Sequence, residues 1–147
     1  MTHSDQRAYF FKIDTTVKRV RNFMQKQLNM AGIDLTIDQW VLIDHLLPSP
    51  GISQNDLAQA TAKDAPTTTR ILDILLKKGL VERKIAKLDR RKSMLFLTDD
   101  GKKMHEKAFP IVAQVRSKAW GALSDEDFDK LVNIMDTIYG NLEGAKG

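Results

Sequence analysis

The sequence predicts a mainly helical fold of the α+β class. Apolar residues recur at helical spacing through most of the 147 residues. Capping residues, glycines and prolines separate these helical segments. One region in the middle of the chain instead has two short β-prone runs on either side of a charged loop. We therefore expect six helices and one β-hairpin.

The first two helices are predicted at about Tyr9–Met30 and Ile37–Leu47. Gly32 follows the first helix, and Thr36 opens the second one through a capping box with Gln39. The motif "PSPG" then stops the second helix. The apolar stripe of the first helix consists of Phe10, Ile13, Val17, Val20, Met24 and Leu28.

Two shorter helices are predicted next. Ser53 and Asp56 form a second capping box, which opens a helix that ends at Ala60. Asp64 is the expected N-cap of the following helix, whose first turn tolerates a proline. Gly79 ends that helix as the residue after the C-cap.

The hairpin and two further helices complete the chain. The runs "LVERKI" and "SMLFL" are the predicted strands, with "AKLDRRK" between them. A helix at about Lys102–Trp120 follows, and Pro110 is expected to kink it or to mark a break. Ser124 and Asp127 form a third capping box, which opens the last helix. This helix is expected to bury Phe128, Leu131, Val132, Met135, Ile138, Tyr139 and Leu142.

Two short helices with a tight turn between them, followed by a β-hairpin, make a winged helix-turn-helix. The second short helix fits the major groove of DNA, and its first turn can reach base edges. At about 100° per residue, Thr68 faces the core, while Pro66 and Arg70 face outward. Thr67 and Thr69 flank that outward strip, where they are candidate DNA contacts. The alternative is that these two threonines only help to cap the helix.

Positive charge is concentrated in the same region. The chain has a net charge of +4, and residues 63–92 alone carry ten cations and four anions. This local excess is typical of a nucleic-acid footprint, although a solvated charged face would show it as well. Four of the cations, Lys87, Arg90, Arg91 and Lys92, crowd the loop of the hairpin. An arginine there can enter the minor groove, and Asp89 is expected to orient it.

These segments together resemble the MarR/SlyA family of bacterial transcription regulators. The resemblance rests on "LTIDQWVLIDHL", "TTTRILDILLKKGLVERK" and "LDRRKSMLFLTDDG", and it spans Leu35 to Gly101. It implies a homodimer whose first and last helices interlock, and which grips a pseudo-palindromic operator in double-stranded DNA. The single domain would then comprise a helical dimerisation region, residues 1–32 and 102–147, and a DNA-binding winged-helix lobe, residues 33–101.

The family pattern also assigns individual contacts. By position, Pro66, Thr67 and Arg70 match the contacts of the reading helix, and Arg91 matches the minor-groove arginine of the wing. Two departures from the pattern stand nearby. Thr61 and Ala62 replace the usual apolar residue and glycine of the turn, and Ala65 replaces an often polar residue.

The resemblance further implies a repressor more often than an activator. Many relatives release DNA when a small aromatic acid or phenol binds between the lobe and the dimer helices. Phe10, Trp40 and His45 are the candidate lining of such an effector pocket. The alternative is that all three are ordinary core residues.

Other functions receive less support from the sequence. A winged helix used for protein contact, with an incidental basic surface, is the main alternative. We expect no enzyme, because no nucleophile–base pair, phosphate loop or metal set is visible. Neither a cofactor nor a metal site is expected, and the absence of cysteine excludes thiol chemistry. No apolar run approaches a membrane span and no signal peptide is visible, so a cytoplasmic location is expected.

Overall fold

The computed structural model describes residues 1–86, 88–89 and 92–144. The chain divides into two compact units, Met1–Val115 and Arg116–Gly147. Within the described residues, the six predicted helices and the predicted hairpin are confirmed. The elements in chain order are α1 (His3–Met30), α2 (Ile37–Leu46), β1 (Ile52–Ser53), α3 (Gln54–Ala60), α4 (Ala65–Lys77), β2 (Val81–Ile85), β3 (Ser93–Leu97), α5 (Asp99–Trp120) and α6 (Asp125–Asn141).

Two helices begin earlier than the sequence predicted. Helix α1 starts at His3 rather than Tyr9, because Thr2 forms a capping box with Asp5. Helix α5 starts at Asp99 rather than Lys102, since the Thr98 hydroxyl accepts the Gly101 N–H at 3.0 Å. Helix α5 also continues through Pro110, so the proline does not mark a break, and the alternative of a kink stays a prediction.

The sheet has one strand more than predicted. Strand β1 contains two residues, and the antiparallel strand order is β1-β3-β2. A two-residue strand is too short to show the period-two alternation that identifies strands in a sequence. Ser53 belongs to β1 and is also the N-cap of α3, where its hydroxyl accepts the Asp56 N–H at 3.1 Å. Of the predicted box at Ser53, the described hydrogen bonds include only this half.

The core of the first unit lies between α2, α4, the sheet and parts of α1 and α5. From α1, only the C-terminal part of the predicted stripe is buried, at Met24 and Leu28. Phe10 is 68% exposed and Val17 51% exposed, so the N-terminal half of α1 presents its apolar residues to solvent. The largest fully buried side chains are Trp40, Leu28, Leu42, Ile43, Leu46, Leu57, Leu72, Leu75, Leu95, Val112 and Thr68.

Helix α6 of the single chain buries none of its residues. The expectation that it buries its apolar face is therefore not met within one chain. Phe128, Leu131, Ile134 and Tyr139 are all exposed, and the Trp120 ring contacts the Phe128 ring edge-on. The cause is that α6 carries an apolar stripe wider than its own unit covers. The predicted division into a dimerisation region and a DNA-binding lobe stays a prediction.

The turn after α4 is clamped to the start of α5. Gly79 has φ +72°, and the Leu80 N–H donates to the Leu75 carbonyl at 3.0 Å, as the predicted helix end requires. The Thr98 hydroxyl donates to the Gly79 carbonyl at 2.6 Å, and the Thr98 N–H donates to the Leu80 carbonyl at 3.1 Å. Gly101 packs so closely here that a Cβ would lie 2.1 Å from the Leu80 carbonyl oxygen.

Gly101→Ala should therefore destabilise the protein. The new methyl group would collide with backbone, which cannot rotate away, and overpacking of this kind costs about 1–3 kcal/mol. Gly140→Ala in α6 is the matched control, because a Cβ added there meets no atom within 4 Å apart from its chain neighbours and the backbone of its own helix. A helical alanine there should leave stability unchanged or raise it by up to about 1 kcal/mol. Urea unfolding measures both variants, and equal stabilities would contradict the close approach.

Candidate nucleic-acid interface

Helix α4 has one buried side and one exposed side. Thr68, Ile71, Leu72 and Leu75 are buried against the core. Pro66, Thr69 and Arg70 are exposed, and Thr67 is half-buried. The orientation predicted from helical periodicity is confirmed, so the outward strip of α4, defined as Pro66, Thr69 and Arg70, faces away from the protein.

The three consecutive threonines have different structural roles. The buried Thr68 hydroxyl donates to the Asp64 carbonyl at 2.9 Å, which satisfies the one polar group on the buried face. The Thr67 backbone N–H donates to the Asp64 carboxylate at 2.7 Å, as in an N-cap. The Thr69 hydroxyl donates to the Ala65 carbonyl at 3.0 Å and accepts from the Gln54 amide at 2.7 Å.

The first turn of α4 is capped by the protein itself. The hydrogen bond from the Thr67 N–H, followed by the Thr67 side chain, holds the pKa of Asp64 below its ordinary value of 3.8. The positive charge of Arg70 lowers the pKa of Asp64 further. This carboxylate accepts the Thr67 N–H, so that donor of the first turn is not available to a DNA phosphate. Contacts to DNA would come instead from the side chains of the outward strip.

Asp38 ties α2 to the two segments on either side of it. Its Oδ1 accepts from the Arg21 guanidinium of α1 and from the Lys63 ammonium in the α3–α4 turn, each at 2.8 Å. Burial raises the pKa of Asp38, but the hydrogen bonds from Lys63 and Arg21 outweigh burial and leave that pKa below its ordinary value. The same turn holds Ala62 at φ +52°, which explains why the family pattern has glycine there.

The wing, residues 81–97, is only partly described at its tip. Strands β2 and β3 pair from Val81↔Leu97 to Ile85↔Ser93. Three of the predicted DNA contacts, Lys87, Arg90 and Arg91, lie outside the described residues. Lys92 is exposed and its backbone N–H donates to the Asp89 carbonyl at 3.0 Å. The predicted role of the Asp89 side chain in orienting Arg91 stays a prediction.

Two residues near the outward strip were not predicted from the sequence as part of the site. Gln54 begins α3, and its amide joins Thr69 of α4 to Arg83 of β2, whose guanidinium donates to Gln54 Oε1 at 3.0 Å. The pairings Ile52↔Leu95 and Arg83↔Leu95 place β1 and β2 on either side of β3. Finding this proximity from sequence requires the β1 pairing, which has no readable signal.

A cleft of about 590 Å³ lies between α2 and α5. It is lined by Asp44, His45, Leu47, Pro48, His105 and Phe109. His105 stacks on Trp40 with ring centroids 4.8 Å apart, and its Nε2 lies 2.9 Å from Asp44 Oδ1. Of the predicted pocket residues, His45 lines the cleft and Trp40 lies buried behind His105. Phe10 is on the exposed half of α1 and is not among the lining residues.

The described part of the chain has neither a metal-binding cluster nor a membrane-spanning helix. No group of three histidine, aspartate or glutamate side chains there is arranged to hold a metal ion. No helix there is long and apolar enough to cross a membrane.

Comparison with known proteins gives a consistent family assignment. Residues 33–92 match the sequence model of the MarR family. The HTH-type transcriptional regulator BilQ of Clostridium symbiosum is 29% identical over 116 residues, which are 79% of each chain. The structure of the transcriptional repressor CouR bound to a 23-mer DNA duplex is 26% identical over 88% of this chain and 90% of its own, with a TM-score of 0.78. A protein of unknown function from Listeria innocua is 33% identical over 95% of this chain and 99% of its own, with a TM-score of 0.67. Residues 33–92 of the chain are therefore a MarR-family domain, and the relatives whose function is named are transcriptional regulators.

Proposed function

We propose that this chain is a homodimeric, sequence-specific repressor rather than an enzyme, and that it reads double-stranded DNA with α4 in the major groove. The main support for this proposal is that the outward strip of α4 is exposed while the opposite side of the same helix is buried. A helix fixed in this way can present its first turn to base edges. The similarity to CouR, a repressor bound to a DNA duplex, supports the proposal.

The side chains of the strip have suitable chemistry for this reading. Arg70 can donate two parallel hydrogen bonds to guanine, and the methyl group of Thr69 can contact a thymine methyl. In the same proposal the wing, with Lys87, Arg90, Arg91 and Lys92, follows the adjacent minor groove. Its arginines would be attracted to the negative potential of a narrow groove.

Arg70→Ala should reduce the free energy of DNA binding by about 1–3 kcal/mol on the preferred duplex and by much less on a scrambled one. The reason is that only the preferred duplex offers a bidentate base contact. Lys77→Ala is the matched control, since it removes the same charge from an exposed site two turns further along α4. This control should weaken binding to both duplexes by the same factor. Fluorescence anisotropy measures binding of duplexes selected from random DNA. Absence of duplex binding by the wild-type protein would favour a protein-contact module instead.

Dimerisation is proposed on the exposed apolar residues of α1 and α6. Tyr9, Phe10 and Phe11 are exposed near the start of α1, and Phe128, Leu131 and Ile134 are exposed on α6. A monomer rarely leaves so much apolar surface uncovered. A two-fold dimer would also require a pseudo-palindromic operator, with half-site centres about one helical turn apart.

Leu131→Glu should break the dimer, because it places a charge on the apolar side of α6. Asn133→Glu is the matched control, as it adds the same charge to the same helix about 200° around its axis. Light scattering at micromolar concentration should give twice the 16.7 kDa chain mass for the wild type and for the control. A stable wild-type monomer, or equal loss of the dimer in both variants, would contradict the proposal.

A small aromatic effector is proposed to bind in the cleft between α2 and α5. His45 Nδ1 lies 2.9 Å from the Val41 carbonyl oxygen, so this nitrogen carries the proton and Nε2 of the neutral ring is an acceptor. The Asp44 carboxylate in the same cleft also accepts. Two acceptors beside the Phe109 ring favour a neutral phenol, which donates its O–H, over an aromatic carboxylate.

Phenol should therefore bind more tightly than benzoate and should release the selected duplex at lower concentration. His45→Phe keeps an aromatic ring but removes the acceptor, and it should weaken phenol binding by about tenfold. The variant should still bind the duplex when phenol is absent. Isothermal titration calorimetry gives the affinities of both probes. Tighter binding of benzoate, or unchanged phenol binding by His45→Phe, would contradict the assigned ligand chemistry.

A further inference from the structure

Gln54 connects the reading helix to the wing through two hydrogen bonds. Its Nε2 donates to Thr69 Oγ1 at 2.7 Å, and its Oε1 accepts from Arg83 Nη2 at 3.0 Å. The three residues come from α3, α4 and β2. The DNA-facing side of the fold thus has a continuous polar chain, Thr69–Gln54–Arg83, that starts on the outward strip of α4.

The orientation of the Gln54 amide follows from its two partners. The Thr69 hydroxyl already donates its hydrogen to the Ala65 carbonyl, so it can only accept from Gln54. The Arg83 guanidinium can only donate. An amide supplies one donor and one acceptor at the required positions, and reversing it would break both bonds. Gln54 therefore holds a single geometry, which it imposes on Arg83.

Arg83 differs in this respect from the neighbouring cation of β2. Successive side chains of a strand point to opposite faces, so Arg83 and Lys84 lie on opposite sides of the wing. Lys84 lies 5.0 Å from the centroid of the Phe96 ring and 3.6 Å from the Glu82 carboxylate. Arg83 instead contacts the start of α3 through Gln54, and it carries four further N–H donors besides the one that bonds Gln54.

We propose that Arg83 is an additional phosphate-contacting residue of the DNA interface and that Gln54 is the positioning residue that aims it. The proposal rests on the proposed DNA-reading function of α4. A guanidinium held beside the outward strip can donate to a backbone phosphate that flanks the groove entered by α4. Without Gln54, Arg83 would sample many rotamers and lose part of this contact.

A double-mutant cycle tests the coupling. Gln54→Leu, Arg83→Ala and the double variant are compared by anisotropy on the duplex selected by the wild-type protein and on a scrambled duplex, at several salt concentrations. Gln59→Leu is the control for glutamine loss, because Gln59 is exposed on the same helix about 140° around its axis. Lys84→Ala is the control for charge loss, because it removes one cation from the opposite face of β2.

Arg83→Ala should weaken binding to both duplexes. It should also reduce the slope of the logarithm of the binding constant against the logarithm of the salt concentration by about one unit. Gln54→Leu should weaken DNA binding by about threefold to tenfold, as the loss of one exposed hydrogen bond would. It should have little further effect in the Arg83→Ala background. Neither control should show this coupling.

If the role of Gln54 were merely structural, Gln54→Leu would lower the midpoint of thermal unfolding. It would then neither couple to Arg83→Ala nor change the salt dependence of DNA binding. Additive losses in the cycle, or an unchanged slope for Arg83→Ala, would overturn the proposal. If Gln54→Leu fails to fold, Thr69→Val is used in its place, since it removes the acceptor of the Gln54 amide and keeps the branched shape. Its coupling to Arg83→Ala must then run through Gln54, and additivity again overturns the proposal.

Arg70→Ala distinguishes failure of this inference from failure of the proposed function. If Arg70→Ala abolishes the preference for the selected duplex while Gln54 and Arg83 remain uncoupled, only the positioning role is wrong. If Arg70→Ala leaves that preference unchanged, the reading function of α4 is wrong as well.

Discussion

Burial of one side of α4 is the constraint on which the rest of the site depends. Thr68, Ile71, Leu72 and Leu75 pack into the core, and a rotation by one residue would bring Thr69 into the place of Thr68. Thr69 would then lose its hydrogen bond to Gln54, and apolar side chains would turn toward solvent. Because the buried side is fixed by packing, the opposite side is fixed too. The orientation of the outward strip is therefore a consequence of the hydrophobic core.

Polar clamps hold the elements around α4 at their ends. Asp38 joins α1, α2 and the α3–α4 turn through two short ion pairs, and Thr98 joins the α4–β2 turn to α5. The clamped α3–α4 turn tolerates Ala62 in the left-handed region, a conformation that costs a non-glycine residue about 1–2 kcal/mol. That cost must be offset by the surrounding packing, since Lys63, the next residue, is anchored on Asp38.

Features that depend on local sequence were predictable. The helix end at Gly79 and the capping boxes at Thr36 and Ser124 involve residues within five positions of one another, and all three are formed. The buried and exposed sides of α4 also follow from periodicity alone. The early start of α1 has a local cause too, because Thr2 and Asp5 are three residues apart.

Features that depend on distant pairing were not predictable. His105 and Asp44 are 61 positions apart, and their 2.9 Å contact follows only once α2 and α5 are packed. Arg83 and Gln54 are 29 positions apart, and they come into contact because the two-residue strand β1 pairs with β3 beside β2. The exposed face of α6 has a different reason. Its apolar pattern predicted burial, and this prediction is wrong for the single chain, because a pattern of apolar residues does not say which surface covers them.

Dimethyl sulfate footprinting tests the central claim most directly, because the reagent methylates guanine N7 in the major groove and adenine N3 in the minor groove. With a duplex selected from random DNA, we expect protection of guanine N7 in two symmetric half-sites, which α4 would cover. Protection of adenine N3 should appear beside each half-site, where the wing would enter. Unprotected guanines at a saturating protein concentration would contradict the account, since they would show that α4 does not lie in the major groove.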